Sequence, residues 1–228
     1  MAGFYGHFTT GVVLGAAYGV AGVWHGHFDW GTVLLAGLTT AIGALTPDLD
    51  SDTGLPIREL FGLAGAVFPL FLIPRLRHSG LSLEESLSVL IGAYLFIRYG
   101  LATILKHLSV HRGMFHSIPA LCISGLAVFD IYQHELVDIR MYLAGGMMLG
   151  FLSHLILDEI FAVNLRGIPR LKSSFGTALK LTSPSWKATL FCYALLFLLV
   201  GVAVSENKDK DYHAVIAPTS PGRVKSQW

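Results

Sequence analysis

Apolar runs separated by short polar links account for most of the chain. The runs are residues 8–24, 30–46, 60–74, 84–106, 118–133, 139–157 and 188–204. Each is long enough, or nearly so, to cross the hydrocarbon core of a membrane as a helix. Backbone groups in hydrocarbon must be hydrogen-bonded within the protein, which favours helices. The pattern predicts an all-α fold, a multipass transmembrane helical bundle with about six or seven spanning segments.

Two runs contain residues that interrupt a simple spanning helix. The run 60–74 contains Pro69 and ends at Pro74, and proline removes a helical hydrogen bond. We expect this segment to be kinked or re-entrant. The run 84–106 contains Arg98, which is expected either to face the interior of the bundle or to extend its head group toward the membrane surface.

Composition indicates one integral membrane domain. The 228 residues are 53% hydrophobic and 14% charged, and soluble domains average about 25% charged residues. We assign residues 1–204 to the membrane domain and residues 205–228 to a polar, disordered tail. The formal net charge of +1 gives no overall field that would attract nucleic acid, and we expect no nucleic-acid partner. Membrane lipids are the expected partners.

Four polar clusters fall on one side of the membrane if each run crosses it once. They are His7, residues 48–52, residues 107–116, and the pair His154 and Asp158. We therefore expect the polar motifs to gather at one membrane face, although a re-entrant third segment would break this arrangement. Short connections on that side carry more lysine and arginine than those on the other side, which favours a cytoplasmic orientation.

His154 and Asp158 are four residues apart at the end of the sixth run. In a helix this spacing places both side chains on the same face, one turn apart. The pair is suited to bind a metal ion. The alternative is a polar helix end that faces the lipid head groups, and the pair alone does not decide between the two.

Asp48 and Asp50 follow Pro47, which ends the second run. Alternate residues of an extended segment point the same way, so the two carboxylates are expected to lie side by side. Such carboxylates repel each other unless a cation, a proton or a hydrogen-bond donor lies between them. A divalent ion is the natural partner, and a solvated acidic turn is the alternative.

The loop between the fourth and fifth runs contains His111, Arg112 and His116. Gly113 permits a tight bend that can turn both imidazoles inward, and Arg112 can then bind an anionic oxygen. The alternative is a basic loop that binds lipid phosphate. The joint placement of this loop, the acidic segment and the histidine–aspartate pair favours a metal site.

Imidazole and carboxylate ligands together suit a divalent ion, either Zn, Mn or Mg. The candidate metal ligands are His7, Asp48, Asp50, His111, His116, His154 and Asp158. The candidate catalytic residues are Asp48 and His116, as ligands or bases, and Arg112, which can stabilise charge. Which residue is the general base stays open.

Taken together, these clusters resemble a family of bacterial and archaeal inner-membrane proteins described as membrane-bound metal-dependent hydrolases, DUF457, typified by a LexA-regulated member. The resemblance covers most of residues 1–158, and the matching residues are His7, Pro47-Asp48-Leu49-Asp50, His111-Arg112-Gly113, His116-Ser117, His154-Leu155 and Asp158. The family usually has a threonine where this chain has Phe115. The resemblance implies a bacterial inner-membrane location, a bound divalent metal and hydrolysis, but no particular substrate.

Two functional hypotheses follow from the residues and the resemblance. The first is a membrane-embedded metal-dependent hydrolase that acts on a phosphoester of a lipid or lipid-linked substrate. Basic residues after Asp158 could stabilise phosphoryl charge, namely Arg166, Arg170, Lys172 and Lys180. The second is a non-enzymatic metal-binding membrane protein, an ion transporter or a structural scaffold. A transporter would place ionisable groups near the midplane of several helices, whereas only Arg98 is clearly mid-segment, so the hydrolase is favoured.

Overall fold

The described part of the chain is mainly helical. The structure is a computed structural model, and it describes residues 3–24, 28–50, 54–101, 103, 115–164, 170–171, 179–182 and 185–216. Its α-helices are α1 Phe4–Trp24, α2 Trp30–Gly43, α3 Gly54–Val67, α4 Ile73–His78, α5 Leu83–Leu95, α6 Ile118–Ile131, α7 Val137–Ala162 and α8 Trp186–Ile216. The two-residue strands β1 Val163–Asn164 and β2 Arg170–Leu171 pair antiparallel. The predicted all-α fold is confirmed.

Helix starts follow from local capping chemistry. Asp29 accepts a hydrogen bond from the backbone N–H of Thr32 at 3.0 Å and so caps α2. Ser82 and Glu85 form a reciprocal capping box at the start of α5. Ser117 accepts from the N–H of Ala120 at 3.2 Å and caps α6. Each cap satisfies a backbone donor that the first helical turn leaves without a partner.

The predicted interruption of the third run lies where its prolines are. Helix α3 ends at Val67, a 3₁₀ segment Phe68–Leu72 contains Pro69, and α4 has Pro74 in its first turn. Arg98 lies in a π-helical turn, Phe96–Leu101, that follows α5. A Cβ atom at Gly62 of α3 would overlap Nη1 of Arg98, so this guanidinium packs against α3.

Helix α2 lies between α1 and α7 and makes close contact with both. Gly15 of α1 meets Gly37 of α2, and a Cβ on Gly15 would overlap the Gly37 carbonyl oxygen. Gly43 of α2 and Gly150 of α7 lie at a second close crossing, where added Cβ atoms would overlap the backbone of the opposite helix. Glycine is required at these crossings because the helix backbones come into direct contact.

Three helical stretches are long and apolar enough to cross a membrane, namely Glu59–His78, Val137–Ala162 and Trp186–Glu206. Two further apolar helices, α2 and α6, are shorter. Large apolar side chains on α8, including Phe191, Phe197 and Leu198, are exposed. An apolar surface of this kind is expected to contact lipid or another protein.

Two local expectations were wrong. His7 lies just ahead of the first apolar run and was expected to precede the first helix, but it lies in the first turn of α1. Residues Thr46–Asp50 form a 3₁₀ helix rather than an extended segment, because Pro47 fixes a φ angle that suits a first helical turn. With three residues per turn, side chains two apart point in different directions, so the argument that aligned the two carboxylates fails.

The last helix extends past the apolar run 188–204. Helix α8 continues to Ile216, so it includes the first residues of the segment assigned to the polar tail. Glu206 accepts a hydrogen bond from Nη2 of the buried Arg140 at 2.9 Å. This contact joins α8, just beyond its apolar run, to the start of α7.

Candidate metal centre

Five of the predicted site residues meet in one cluster. They come from separate parts of the chain: His7 from α1, Asp48 from the 3₁₀ helix, His116 from just before α6, and His154 and Asp158 from α7. We call these five residues the histidine–aspartate cluster. The helical spacing predicted for the last two residues is confirmed, although α7 continues for one further turn to Ala162.

His154 is fully buried and its orientation is fixed by backbone. Its Nδ1 lies 2.7 Å from the carbonyl oxygen of Ala44, just after α2. A carbonyl oxygen only accepts hydrogen bonds, so Nδ1 carries the proton and Nε2 presents its lone pair to the cluster. The close crossing of Gly43 and Gly150 brings α2 near enough to α7 for this contact.

Asp158 contacts two histidines from outside its own helix. Its Oδ1 lies 3.2 Å from Nε2 of His7, and its Oδ2 lies 3.6 Å from Nε2 of His116. Oδ2 is also 3.7 Å from Nε2 of His154. Only the first of these distances is within hydrogen-bonding range. The carboxylate therefore faces all three imidazoles.

The remaining contacts are made around the His154 ring. Its Nε2 lies 3.7 Å from Oδ1 of Asp48. The His7 ring stacks on it with centroids 3.6 Å apart and an interplanar angle of 11°. The His116 ring meets it edge-on, at 5.4 Å and 65°. His154 is thus the centre of the cluster.

The donor atoms form two triples that fit a metal ion. One consists of His7, His154 and Asp158, and the other of Asp48, His116 and His154. Within each triple the ligand atoms lie within 4.8 Å of one another. Nδ1 of His7 and Nε2 of His154 are buried and have no hydrogen-bond partner among the described residues. Since a buried polar atom without a partner is costly, the arrangement fits a cation that accepts these lone pairs.

Several predicted residues cannot be placed in the cluster. His111 and Arg112 lie outside the described residues, as do Arg166 and Lys172. Asp50 belongs to the 3₁₀ helix, but its side chain lies outside the description. Lys180 is close in the backbone, because its carbonyl oxygen accepts from the N–H of Ile118 at 3.1 Å.

Sequence reasoning missed the backbone groups that hold the cluster and one buried ion pair. The Ala44 carbonyl has no side-chain signature. Ser117 could have been recognised, because serine followed by Ile118 and Pro119 is typical of a helix N-terminus. Arg140 lies near the start of the run 139–157 and received no role, but it is fully buried and pairs with Glu206. The separation of 66 positions in the sequence hides the pair from local pattern analysis.

Comparison with known proteins identifies a membrane family. The YdjM inner membrane protein family matches residues 1–217. The chain belongs to this family. No curated protein and no solved structure matches the chain. Membership agrees with the apolar candidate spans, and the chain is an inner membrane protein.

Proposed function

We propose that this YdjM-family chain is a multipass, membrane-embedded, metal-dependent hydrolase that acts on a phosphoester of a lipid or lipid-linked substrate. The observation that carries the proposal is the histidine–aspartate cluster. It gathers three imidazoles and two carboxylates in a chain with only 14% charged residues. Buried ionisable groups in an apolar protein are costly and are usually retained for function.

The donor set favours Zn²⁺ or Mn²⁺ over Mg²⁺. Imidazole nitrogen suits transition metals, whereas Mg²⁺ prefers oxygen ligands. His154 belongs to both triples, so either one ion or two adjacent ions would depend on it. A divalent ion held there would supply Lewis acidity, which lowers the pKa of water enough to provide hydroxide for ester hydrolysis at neutral pH.

The exposed fraction of each side chain distinguishes the proposed roles of the cluster residues. The side chains of Asp48 and His116 are 22% and 14% exposed, whereas those of His7 and His154 are 1% and 0% exposed. The two more exposed groups can reach a substrate and exchange a proton with water. We assign general acid–base work to Asp48 or His116. The buried His7, His154 and Asp158 hold the metal and fix the geometry.

Basic residues near the cluster support an anionic substrate. Lys180 lies beside the start of α6 through its backbone contact with Ile118. Arg112, Arg166, Arg170 and Lys172 are near the cluster in sequence. Cationic groups of this kind stabilise the charge that develops on phosphoryl oxygens. A membrane-embedded protein meets such groups most readily on lipids and lipid-linked phosphates.

The proposed orientation places the cluster at the cytoplasmic face. It follows from the excess of lysine and arginine in the connections that are predicted to share a side with the cluster. The candidate spans and the shorter apolar helices support several membrane crossings. A topology reporter fused after Ile216 and, separately, one inserted between α4 and α5 would test this orientation.

A second candidate is a non-enzymatic metal-binding protein. The cluster joins α1, the segment after α2, and α7, so a metal could serve to tie these helices together. An ion transporter is less favoured, because the cluster lies near helix ends rather than along the middle of several helices. A structural metal would leave stability dependent on the ion and produce no turnover.

Metal content is the measurement that tests the proposal. Detergent-purified protein is washed, refilled with Zn, Mn or Mg, and subjected to elemental analysis. We expect stoichiometric metal in the wild type and in the His78→Ala control, which removes an exposed histidine. We expect a marked loss in His116→Ala and Asp48→Ala. Folded protein that keeps no metal after any refilling would overturn the proposal.

Turnover separates the two candidates. Metal-loaded wild type is incubated with vesicles containing phosphatidic acid or prenyl diphosphate, and release of phosphate is measured. Phosphate release that is lost in both cluster variants supports the hydrolase. Stoichiometric metal that raises thermal stability, together with no release from either lipid, favours the structural role.

A further inference from the structure

An apolar cavity of about 540 Å³ lies beside the histidine–aspartate cluster. Its walls come from α2, α3, α6, α7 and α8, and include Phe61, Phe115, Ala127, Phe151, Ala188 and Leu195. The described lining contains no ionisable side chain other than the thiol of Cys192, and its hydroxyl groups are those of Thr46 and Ser124. A lining of this kind suits hydrocarbon better than an ion.

The cavity and the cluster share one face of α7. Met147 and Phe151 line the cavity, and His154 and Asp158 belong to the cluster. These residues follow one another at spacings of four, three and four, which keeps them on the same helix face. A ligand lying along this face would meet apolar side chains first and then, within about one turn, the imidazole and carboxylate groups.

The opposite wall of the cavity shows the same change from apolar to polar residues. Phe115 lines the cavity, and the next residue, His116, faces Asp158. Along α6 the cavity continues past Ala120, Ala127 and Ile131. From the first to the last of these the helix rises by about 16 Å, at about 1.5 Å per residue. The cavity is therefore an elongated apolar space with polar groups at one end.

We propose that this cavity binds a hydrocarbon chain of a membrane lipid whose polar head lies at the histidine–aspartate cluster. The inference names the chain-binding part of the substrate site, and only the position of the head rests on the proposed function. The volume falls within the range of about 300–1,000 Å³ that is usual for ligand pockets. Because the cavity is apolar apart from one polar end, it fits an amphiphile better than a soluble phosphoester.

Helix α8 provides the route of entry. It contributes Ala188, Phe191 and Leu195 to the cavity, while most of its side chains from Trp186 to Ser205 are exposed. A chain that leaves the bilayer can enter beside this helix without passing through water. The polar head then stays at the level of the cluster, where the partly exposed Asp48 and His116 can reach it.

Photolabelling tests the position of the chain. Two dodecyl phosphate probes are used with the full-length protein, one with a diazirine on the terminal carbon and one with a diazirine beside the phosphate. We expect the terminal probe to label peptides around Ile131 and the other probe to label peptides around Phe115. The proposal would be overturned if both probes labelled the exposed surface of α8 evenly.

Variants that fill the cavity provide a second test of the proposal. Ala188→Trp and Ala127→Trp fill the cavity from two different helices, and Ala194→Trp makes the same change at an exposed position of α8. We expect at least a tenfold fall in cavity labelling for the first two and no change for the third. Equal labelling of all three variants, each shown to be folded, would overturn the proposal.

The two proposals fail separately. The labelling experiment requires neither bound metal nor turnover, and is run on metal-free and metal-loaded protein. Chain labelling with no metal binding would leave the cavity assignment in place and reject the hydrolase. Metal binding with normal phosphate release, but no labelling in the cavity, would keep the hydrolase and reject a chain-binding cavity.

Discussion

Nδ1 of His154 donates a hydrogen bond to the carbonyl oxygen of Ala44 at 2.7 Å. The bond joins α7 to the chain just after α2, and it fixes which ring nitrogen faces the cluster. It depends on how closely the two helices cross. Gly43 and Gly150 lie at the crossing, and a Cβ on either would overlap backbone atoms of the other helix.

Gly150→Ala is therefore expected to disturb the cluster from one turn away. The new Cβ would overlap the Thr40 carbonyl oxygen, and because backbone cannot move aside as a side chain can, the helices must separate. We expect a loss of about 1–3 kcal/mol in the free energy of unfolding, as is usual for overpacking. Metal affinity should fall with it. Unfolding in detergent and metal titration measure the two effects.

Gly201→Ala is the matched control. Gly201 is exposed on α8, and nothing lies within 4 Å of an added Cβ. In a helix this exchange should be neutral or stabilising by up to about 1 kcal/mol. Equal stability of the Gly150→Ala variant and the wild type would show that the crossing is looser than described.

His154 is expected to be more important for metal binding than the other ligands. It belongs to both triples, whereas His7 and Asp48 each belong to one. His154→Ala should weaken metal binding by at least about a hundredfold, or about 2.8 kcal/mol, and His7→Ala by about tenfold. Competition with a chelating dye measures both. Equal losses of metal affinity in His154→Ala and His7→Ala would contradict the assignment of His154 as the ligand that both triples share.

The sequence predicts the parts of the cluster that depend on helical periodicity. His154 and Asp158 lie one turn apart because their spacing of four matches the helical repeat, and the structure places both side chains in the cluster. Counting apolar runs also led to the expectation that His7, Asp48 and His116 would share a side. Each of the three contacts either His154 or Asp158, so they meet in one cluster, although this does not show where the membrane surface lies.

Other features depend on contacts that a local pattern does not encode. The 3₁₀ helix at Thr46–Asp50 was missed because a proline after an apolar run indicates an ending but not the conformation that follows. The Ala44 carbonyl was missed because any residue supplies one. The buried Arg140 was missed because its partner Glu206 lies on the next helix, 66 residues further along the chain.

The contact between Arg140 and Glu206 is expected to stabilise the end of α8. Nη2 of Arg140 lies 2.9 Å from Oε2 of Glu206, and Nε donates to the carbonyl oxygen of Phe129 at 2.9 Å. Glu206→Ala would leave the buried guanidinium without its carboxylate. We expect a loss of about 2 kcal/mol, the usual range for a hydrogen bond to a charged group. Limited proteolysis of α8 and detergent unfolding report it.

A double variant tests whether the charge itself is needed. Arg140→Met with Glu206→Met removes the ion pair as a unit, and should recover part of the loss because neither of its members is left without the other. Glu135→Ala, which removes an exposed carboxylate from the link before α7, is the control and should have little effect. A double variant less stable than Glu206→Ala would contradict this account.

The cap on α2 gives a prediction for pH. The pKa of Asp29 is lowered from its ordinary value, first by the hydrogen bond from the Thr32 hydroxyl and then by the bond from the Thr32 backbone N–H. A lowered pKa in the folded state means that the carboxylate stabilises the fold above its unfolded pKa of about 3.9. This contribution is lost as pH falls through the lower pKa of the folded protein.

Comparing three versions of residue 29 isolates that effect. At pH 7, Asp29→Ala should lower stability by about 1 kcal/mol, since it removes the cap. Asp29→Asn keeps a capping oxygen but lacks the charge, which favours a helix N-terminus by about 0.3–1 kcal/mol. The difference between wild type and Asp29→Asn in thermal unfolding should therefore shrink as pH falls below about 4. A difference that stays constant from pH 7 to below the folded pKa would show that the carboxylate charge at Asp29 does not stabilise α2.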